Sequence, residues 1–323
     1  MSGIPTIFDI RKNYTVLGRG PENRISRFGL SVLQLVRDRK YQRTEDIRKI
    51  ASRNFSDVIV MLPRDNILPY EELVSEFSNL RLILFDPHFY RQSSIGALIN
   101  AGIVEARCEF VALVWNGVNI VFDMKLLQHM DRETLCYLPY IQDNKGRIIP
   151  SFFVPTPTKE GRKEHFVEPQ PILPSENENQ SLFPCDYSGI YVKERFTRCG
   201  GFDAHMNNPY WQKLEFGYRA RLWGERLQHL PGLKIEYAEE LQPEETTPDE
   251  DYLRFYLRIL AVLYTGDYAK LPIKKFWPYF RAGNCGIPAA LRNFMRERHW
   301  IKKHAYNYRF DARQMVELWG ENV

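Results

Sequence analysis

Two adjacent glycines followed by an aromatic residue and an acid, Gly200-Gly201-Phe202-Asp203, open the part of this 323-residue chain best suited to chemistry. Paired glycines let backbone approach a ligand closely and adopt positive φ at little steric cost. Downstream, Leu214, Tyr218 and Leu222 fall at i, i+4 and i+8, the spacing of one helix face. Glu215, Arg219 and Arg226 are expected on a neighbouring face, with Glu215 and Arg219 as an i,i+4 pair. Such a pair is either a surface salt bridge on an amphipathic helix or part of a helix that lines a binding site. Asp203 and Glu215 are the carboxylates there that could accept a proton. The seven histidines are scattered, and no HExxH or paired-cysteine spacing accompanies them, so no histidine or cysteine metal site is expected. His205 reads as a loop or surface histidine.

Gly200, Gly201, Phe202 and Asp203, with Trp211, Gly217, Arg219 and Gly224, resemble the acceptor-side half of a GT-A fold glycosyltransferase, family 2-like. In that family a strand ends in "GGFDE" and a helix follows that opens "W-E-D-x-D-L-G-x-R". A second resemblance lies upstream. Gly96, Ala97, Asn100, Gly102, Ile103 and Ala106, followed by Glu109-Phe-Val-Ala-Leu-Val114, are similar to the family's "G-x-x-x-A-x-N-x-G-I-x-x-A-x-G-E" helix and strand. In the family Asn100 helps hold the loop that carries the metal-binding acids. Three acidic positions of the family pattern are altered. Gln212-Lys213 replaces the Glu-Asp pair, leaving Glu215 as the later acid. Trp115-Asn116-Gly117 replaces the Asp-x-Asp that carries a divalent cation. Leu62 and Pro63, then Arg64 and Asp65, stand where a strand end carries the base-contacting Asp.

The elements that must position these residues are those of an α/β protein. Strands are expected over 14–18, 58–62, 80–85, 109–114 and 184–192, and helices over 25–37, 44–51, 69–77 and 94–106. A helical segment is expected over 122–131 and an irregular stretch over 143–184. The resemblance implies a GT-A-like, Rossmann-like three-layer sandwich with a mostly parallel sheet, over residues 1–235. A mainly helical C-terminal extension, 236–323, is expected to follow. Ligands in such sheets bind beyond the carboxyl ends of the strands. Arg19, Arg64, Trp115–Gly117 and Gly200–Asp203 are expected to converge there.

Composition bounds the class. Hydrophobic content of 44% and charged content of 26% are those of a globular chain long enough for a full core and one appendage. Five widely spaced cysteines without a CxxC read as reduced thiols, the usage of a cytoplasmic protein. The net charge of +4 and the lack of a binding motif argue against nucleic acid. Charge is segregated, however. Residues 236–251 hold eight acids and no Lys or Arg, which reads as a solvated linker. From Lys270 onward eleven Lys and Arg face four acids, which reads as a solvated basic face, a membrane-surface patch or a phosphate-binding surface.

The resemblance implies sugar transfer from a nucleotide sugar to a glycan, lipid or protein acceptor. Glu215 or Asp203 would be the base. Arg19, Arg64, Trp115, Asn116, Gly117, Gly200, Gly201, Trp211 and Arg219 would contact the donor. No cofactor is expected, and Mg or Mn is disfavoured because a hard cation wants anionic oxygen ligands. Arginine suits bidentate phosphate contact, and Lys274, Lys275 and Arg281 could add charge from the tail. The alternative is a catalytically silent GT-A pseudoenzyme, a binding or scaffold subunit partnering an active transferase.

Overall fold

The computed structural model describes residues 14–18, 26–37, 43–155, 169–175 and 180–319. Arg19 and the rest of the 19–24 loop lie outside the described residues. The centre is a nine-stranded sheet of β1 (Tyr14–Leu17), β2 (Ser26–Leu35), β3 (Asp57–Pro63), β4 (Leu80–Phe85), β5 (Cys108–Trp115), β6 (Val118–Val121), β7 (Thr134–Gln142), β10 (Gly189–Val192) and β11 (Arg226–Tyr237). Its order is β1-β4-β3-β2-β5-β10-β7-β11-β6. β4, β3, β2 and β5 are mutually parallel, β7 and β11 continue in that direction, and β1, β10 and β6 run against them. The sheet is thus mixed but mostly one-directional, with helices on both faces. A short antiparallel hairpin, β8 (Phe152–Val154) and β9 (Gln170–Ile172), lies outside it.

Helices α1 (Thr44–Ala51) and α2 (Leu68–Glu76) cover one face through Ile47, Ile50, Tyr70 and Leu73. On the other face lie α3 (Pro87–Gln92), α4 (Ile95–Glu105), α5 (Lys193–Cys199) and α6 (Pro209–Leu222). Apart from Asp57, Arg81 and Glu109 near their starts, β3, β4 and β5 read as apolar runs because both of their faces are covered. Gly102 of α4 lies so close to Leu33 that a Cβ there would meet it at 2.4 Å, which sets the helix directly on the sheet. Each of these two helix–sheet interfaces is a continuous apolar layer.

A third apolar cluster joins α6 to a helical extension of α7 (Glu250–Phe255), α8 (Phe276–Ala282), α9 (Ile287–Lys303) and α10 (Ala312–Glu317). The expected face of Leu214, Tyr218 and Leu222 exists, and it packs on the extension, while Phe216 and Ala220 turn to the sheet. α6 is therefore buried on all sides.

Several expectations are corrected. In the segment expected as a helix over 25–37, Ser26–Leu35 form instead β2, near the centre of the sheet, whereas the strand expected over 14–18 is present as β1, antiparallel at the sheet's edge. The 122–131 segment holds only a 3-10 turn at Met124–Gln128. Arg226 is in β11, away from Glu215, and pairs with Asp131 at 3.0 Å. The acidic stretch is not a free linker either. Glu244 pairs with Lys213, Asp251 accepts from the Asn207 and Asn208 amides at 2.7 Å each, and the Trp211 indole donates to the Thr247 carbonyl.

Candidate functional site

In the parallel set β4-β3-β2-β5 the chain order reverses between β2 and β5, and the crevice at such a switch point is where open α/β sheets take ligands. The carboxyl ends of the two strands are tied together there. The Asn116 amide donates to the Leu35 carbonyl (2.8 Å), and the Asn116 side-chain oxygen accepts from the Arg37 amide (2.9 Å). The Arg37 guanidinium lies 4.5 Å above the Trp115 ring and donates to both oxygens of Asp186, at 2.6 and 3.3 Å. Tyr237 donates its hydroxyl to Asp186 at 2.6 Å, and the Trp115 indole donates to the Asp186 carbonyl at 2.8 Å. Burial pushes the Tyr237 hydroxyl well above its ordinary value, and the Asp186 carboxylate adds to the shift.

Asp186 and Tyr187 both have left-handed backbone, with φ of 50° and 61°. Two consecutive non-glycine residues in that region store strain of the kind found at functional sites. A cleft of about 620 Å³ opens between α1, the Gly117 turn and the end of β11 and reaches Tyr237; its wall carries Lys49 and Arg53 and also the acids Asp46, Asp143 and Glu236.

The residues in the Asp-x-Asp position do not fit a divalent cation. Trp115 is 3% exposed and has no oxygen to offer, the Asn116 oxygen is spent on a backbone amide, and Gly117 has no side chain. The nearest carboxylate, Asp186, already faces a guanidinium. Among the described residues no group of three or more His, Cys, Asp or Glu is placed to hold a metal ion.

The Gly-Gly-Phe-Asp segment forms a separate cluster against α4 and α6. Gly200 and Gly201 take φ of 91° and 66° and turn the chain out of α5. Asn100 of α4 grips the turn from inside, donating to the Phe202 carbonyl (2.7 Å) and accepting from its amide (2.9 Å). Arg219 donates to the Gly201 carbonyl at 2.7 Å, to the Cys199 carbonyl, and to both oxygens of Glu215 at 2.8 and 2.9 Å. Asp203 lies 2.8 Å from Arg258 and 2.6 Å from Arg254, and Glu297 accepts from Arg258 at 2.7 Å. Burial alone would push the Asp203 carboxyl up, but Arg258, His205 and Arg254 hold it far below the usual carboxylate range. Burial pushes the neighbouring Cys199 thiol up to about 12. A small cavity of about 130 Å³ adjoins this cluster, with His205, Arg296 and Trp300 on its wall.

Gln212 and Lys213 stand where the family pattern has its Glu-Asp pair. The Gln212 side chain is a buried hub. Its oxygen accepts from the Gly96 amide and the Tyr187 hydroxyl, and its nitrogen donates to the Asp203 and Met206 carbonyls and to Ser94, all at 2.8–3.1 Å. Lys213 is buried, reaches Glu244, and lies 5.2 Å from the Tyr187 ring centre.

The expected residues therefore fall in two clusters. Trp115, Asn116 and Gly117 lie at the switch point. Gly200, Gly201, Asp203, Glu215 and Arg219 lie under the extension, joined to the first cluster through the hydrogen bonds of Gln212 with Tyr187 and Asp203. Arg64 joins neither, since its guanidinium donates to Thr15 near the sheet edge. Trp211 packs on Tyr252 and Phe255 instead of lining the cleft. Sequence reasoning missed Arg37, Asp186 and Tyr237, and also Arg254, Arg258 and Glu297. The available signals were the turn-forming Asp-Tyr-Ser-Gly run after Cys185 and the i,i+4 arginines 254 and 258 in an otherwise apolar helix.

Comparison with solved structures gives the fold its class. The crystal structure of GalNAc-T7 with UDP, GalNAc and Mn2+ matches at a TM-score of 0.53 with 12% identity, covering 93% of this chain and 57% of that one. This chain thus spans little more than half of that protein's chain. S. aureus TarS 1-349 matches at a TM-score of 0.45 with 15% identity, covering 85% of this chain and 73% of that chain, and its complex with UDP matches at 0.44 with 14% identity, over 83% and 70%. No family model matches the sequence, and no curated protein matches it. The architecture is the GT-A glycosyltransferase fold, as the sequence motifs implied.

Proposed function

We propose that this chain is a glycosyltransferase-like, nucleotide-sugar-binding domain that serves as a binding or scaffold subunit and does not itself transfer sugar. One observation carries the reading: Glu215 and Asp203, the two carboxylates of the acceptor-side motif, are buried with side chains 0% and 2% exposed, and both are held by arginines. A general base must reach the acceptor hydroxyl within hydrogen-bond distance, and neither group faces the switch-point cleft. Trp115 at the Asp-x-Asp position and Lys213 at the Glu-Asp position support the same reading. The nucleotide sugar is assigned to the cleft whose wall carries Lys49 and Arg53, a pair of cations suited to a diphosphate, with Arg37 behind it, 5.8 Å from the Tyr237 ring centre. GalNAc-T7 and TarS, which share the fold, have been crystallised with UDP.

The test is calorimetry and turnover with UDP-, GDP- and TDP-sugars, each with and without EDTA or added Mn²⁺. Binding of at least one nucleotide sugar, insensitive to EDTA and without hydrolysis or transfer, is expected. Turnover of any donor would refute the silent reading, and lack of binding across the panel would refute the ligand assignment.

A second reading is favoured by the strained Asp186-Tyr187 pair. In it Arg37 neutralises the leaving diphosphate and Asp186 accepts the acceptor's proton, without a metal. Turnover lost in Asp186→Asn would establish that reading.

A further inference from the structure

We propose that the outer face of α8 and α9 is a docking surface for an anionic lipid bilayer. Seven of the twelve large apolar side chains exposed among the described residues fall between Tyr268 and Tyr306. Ile287, Leu291 and Met295, at 54%, 48% and 47% exposure, follow one another at i, i+4 and i+8 along α9 and so form one stripe. Arg298 and Lys302 continue that side of the helix, and Arg292, His299 and Lys303 border it. The side next to the stripe, Ala290, Phe294, Glu297 and Ile301, is the buried one. Trp277, 57% exposed, stands on α8 against Phe276, which in turn packs on Phe294.

The charge around the stripe selects the occupant. Residues 270–310 carry ten Lys and Arg and one acid, Glu297, which is buried among arginines. The segment itself thus presents apolar groups and cations and no exposed carboxylate of its own; the nearby acids Glu250 and Asp251 lie by the 283–285 turn and Asn293. An apolar stripe flanked by Lys and Arg, with a tryptophan at its edge, matches a bilayer interface: aliphatic groups enter the acyl boundary, the indole sits at headgroup level, and long basic side chains reach anionic headgroups. No helix among the described residues is long and apolar enough to cross a membrane, so this contact is interfacial. The proposal stands independently of which nucleotide-sugar reading holds.

The experiment is co-sedimentation of the full chain with vesicles of phosphatidylcholine alone and of phosphatidylcholine with about 30% phosphatidylserine. Binding to the mixed vesicles only, weakened as salt is raised from 0.1 to 0.5 M, is expected because exposed charge is screened. The double variant Trp277→Ala/Leu291→Ser should lose more than about tenfold in vesicle affinity, and Arg292→Glu/Lys302→Glu at least as much. Both pairs sit on the surface, so melting temperatures should stay within about 2 °C of the parent. Absence of binding to the mixed vesicles would overturn the proposal. So would binding untouched by either pair, or a dimer in sedimentation equilibrium that the Trp277/Leu291 pair dissolves.

Discussion

The Glu215→Gln substitution separates a catalytic carboxylate from a structural one. Three carboxylates (Asp203, Glu215, Glu297) and three guanidinium groups (Arg219, Arg254, Arg258) meet in one lattice, with no member more than 16% exposed. These six buried members balance in charge, and Arg296, 58% exposed, adds a fourth guanidinium at the rim, 3.1 Å from Glu297. The substituted amide would keep the shape but leave one positive charge without a counter-ion in a site closed to water. Breaking a buried ion pair in this way costs about 3–5 kcal/mol. At about 2 °C per kcal/mol for a chain of this size, the melting temperature should fall by about 6–10 °C. Thermal unfolding followed by circular dichroism measures the fall, and calorimetry with the bound nucleotide sugar should give an affinity close to that of the parent. Adding Arg219→Gln removes the stranded charge, so the two losses should be less than additive by at least about 1 kcal/mol. An unchanged melting temperature, or strict additivity, would refute the lattice argument. A rate loss with unchanged stability would return Glu215 to the role of base.

Asn100→Leu strips partners from both the amide and the carbonyl of Phe202 and should lower stability by about 2–4 kcal/mol, read from denaturant midpoints. Trp115→Ala should cost about 3–5 kcal/mol by emptying a core site, and adding Mn²⁺ should not restore the lost melting temperature. Asp203 and Glu297 are held below the usual carboxyl range, so the unfolded chain takes up their protons first. The stability they give is full above about pH 4.3 and is lost as pH falls from there toward their folded values. Burial, reinforced by Lys303 and Arg219, lowers the His304 imidazole to about 4. The unfolded chain therefore protonates it first, and stability declines as pH falls from about 6.5 to about 4. His304→Phe should flatten that decline in a melting-temperature profile, and an identical slope in the variant would count against the assignment.

The sequence reveals much of this fold where one pattern has one reading. The runs over 80–85 and 109–114 are too short and too apolar to be anything but buried strands, and the small residues of 94–106 mark a helix lying close on a sheet. β2 is different. It is covered on both faces, so it lacks strand alternation, and Phe28, Val32, Leu35 and Val36 fall at helical spacing by accident of sequence. The Gly-Gly-Phe-Asp turn, Glu215 and Arg219 were legible as one cluster because they are near in sequence. Arg37, Asp186 and Tyr237 were not, because sheet order alone brings together residues so far apart. Glu215 itself shows the limit: spacing placed it beside Arg219, but only the packing of the extension on α6 removes the pair from water.

The same extension bears on how the chain is made. The sheet domain brings Asp203, Glu215 and Arg219 to the lattice, and the helices that follow bring Arg254, Arg258 and Glu297, with Arg296 at the rim. During synthesis the sheet emerges first, with the Glu215–Arg219 pair of α6 and Asp203 of the Gly-Gly-Phe-Asp turn not yet enclosed. Closure of that surface therefore awaits the arrival of α7 and α9. Although the sheet and the helices look like separate modules, their charges make them halves of one cooperative unit. A cut at residue 235 would part Asp203 and Glu215 from Arg254 and Arg258 and leave each piece with a wet and open flank.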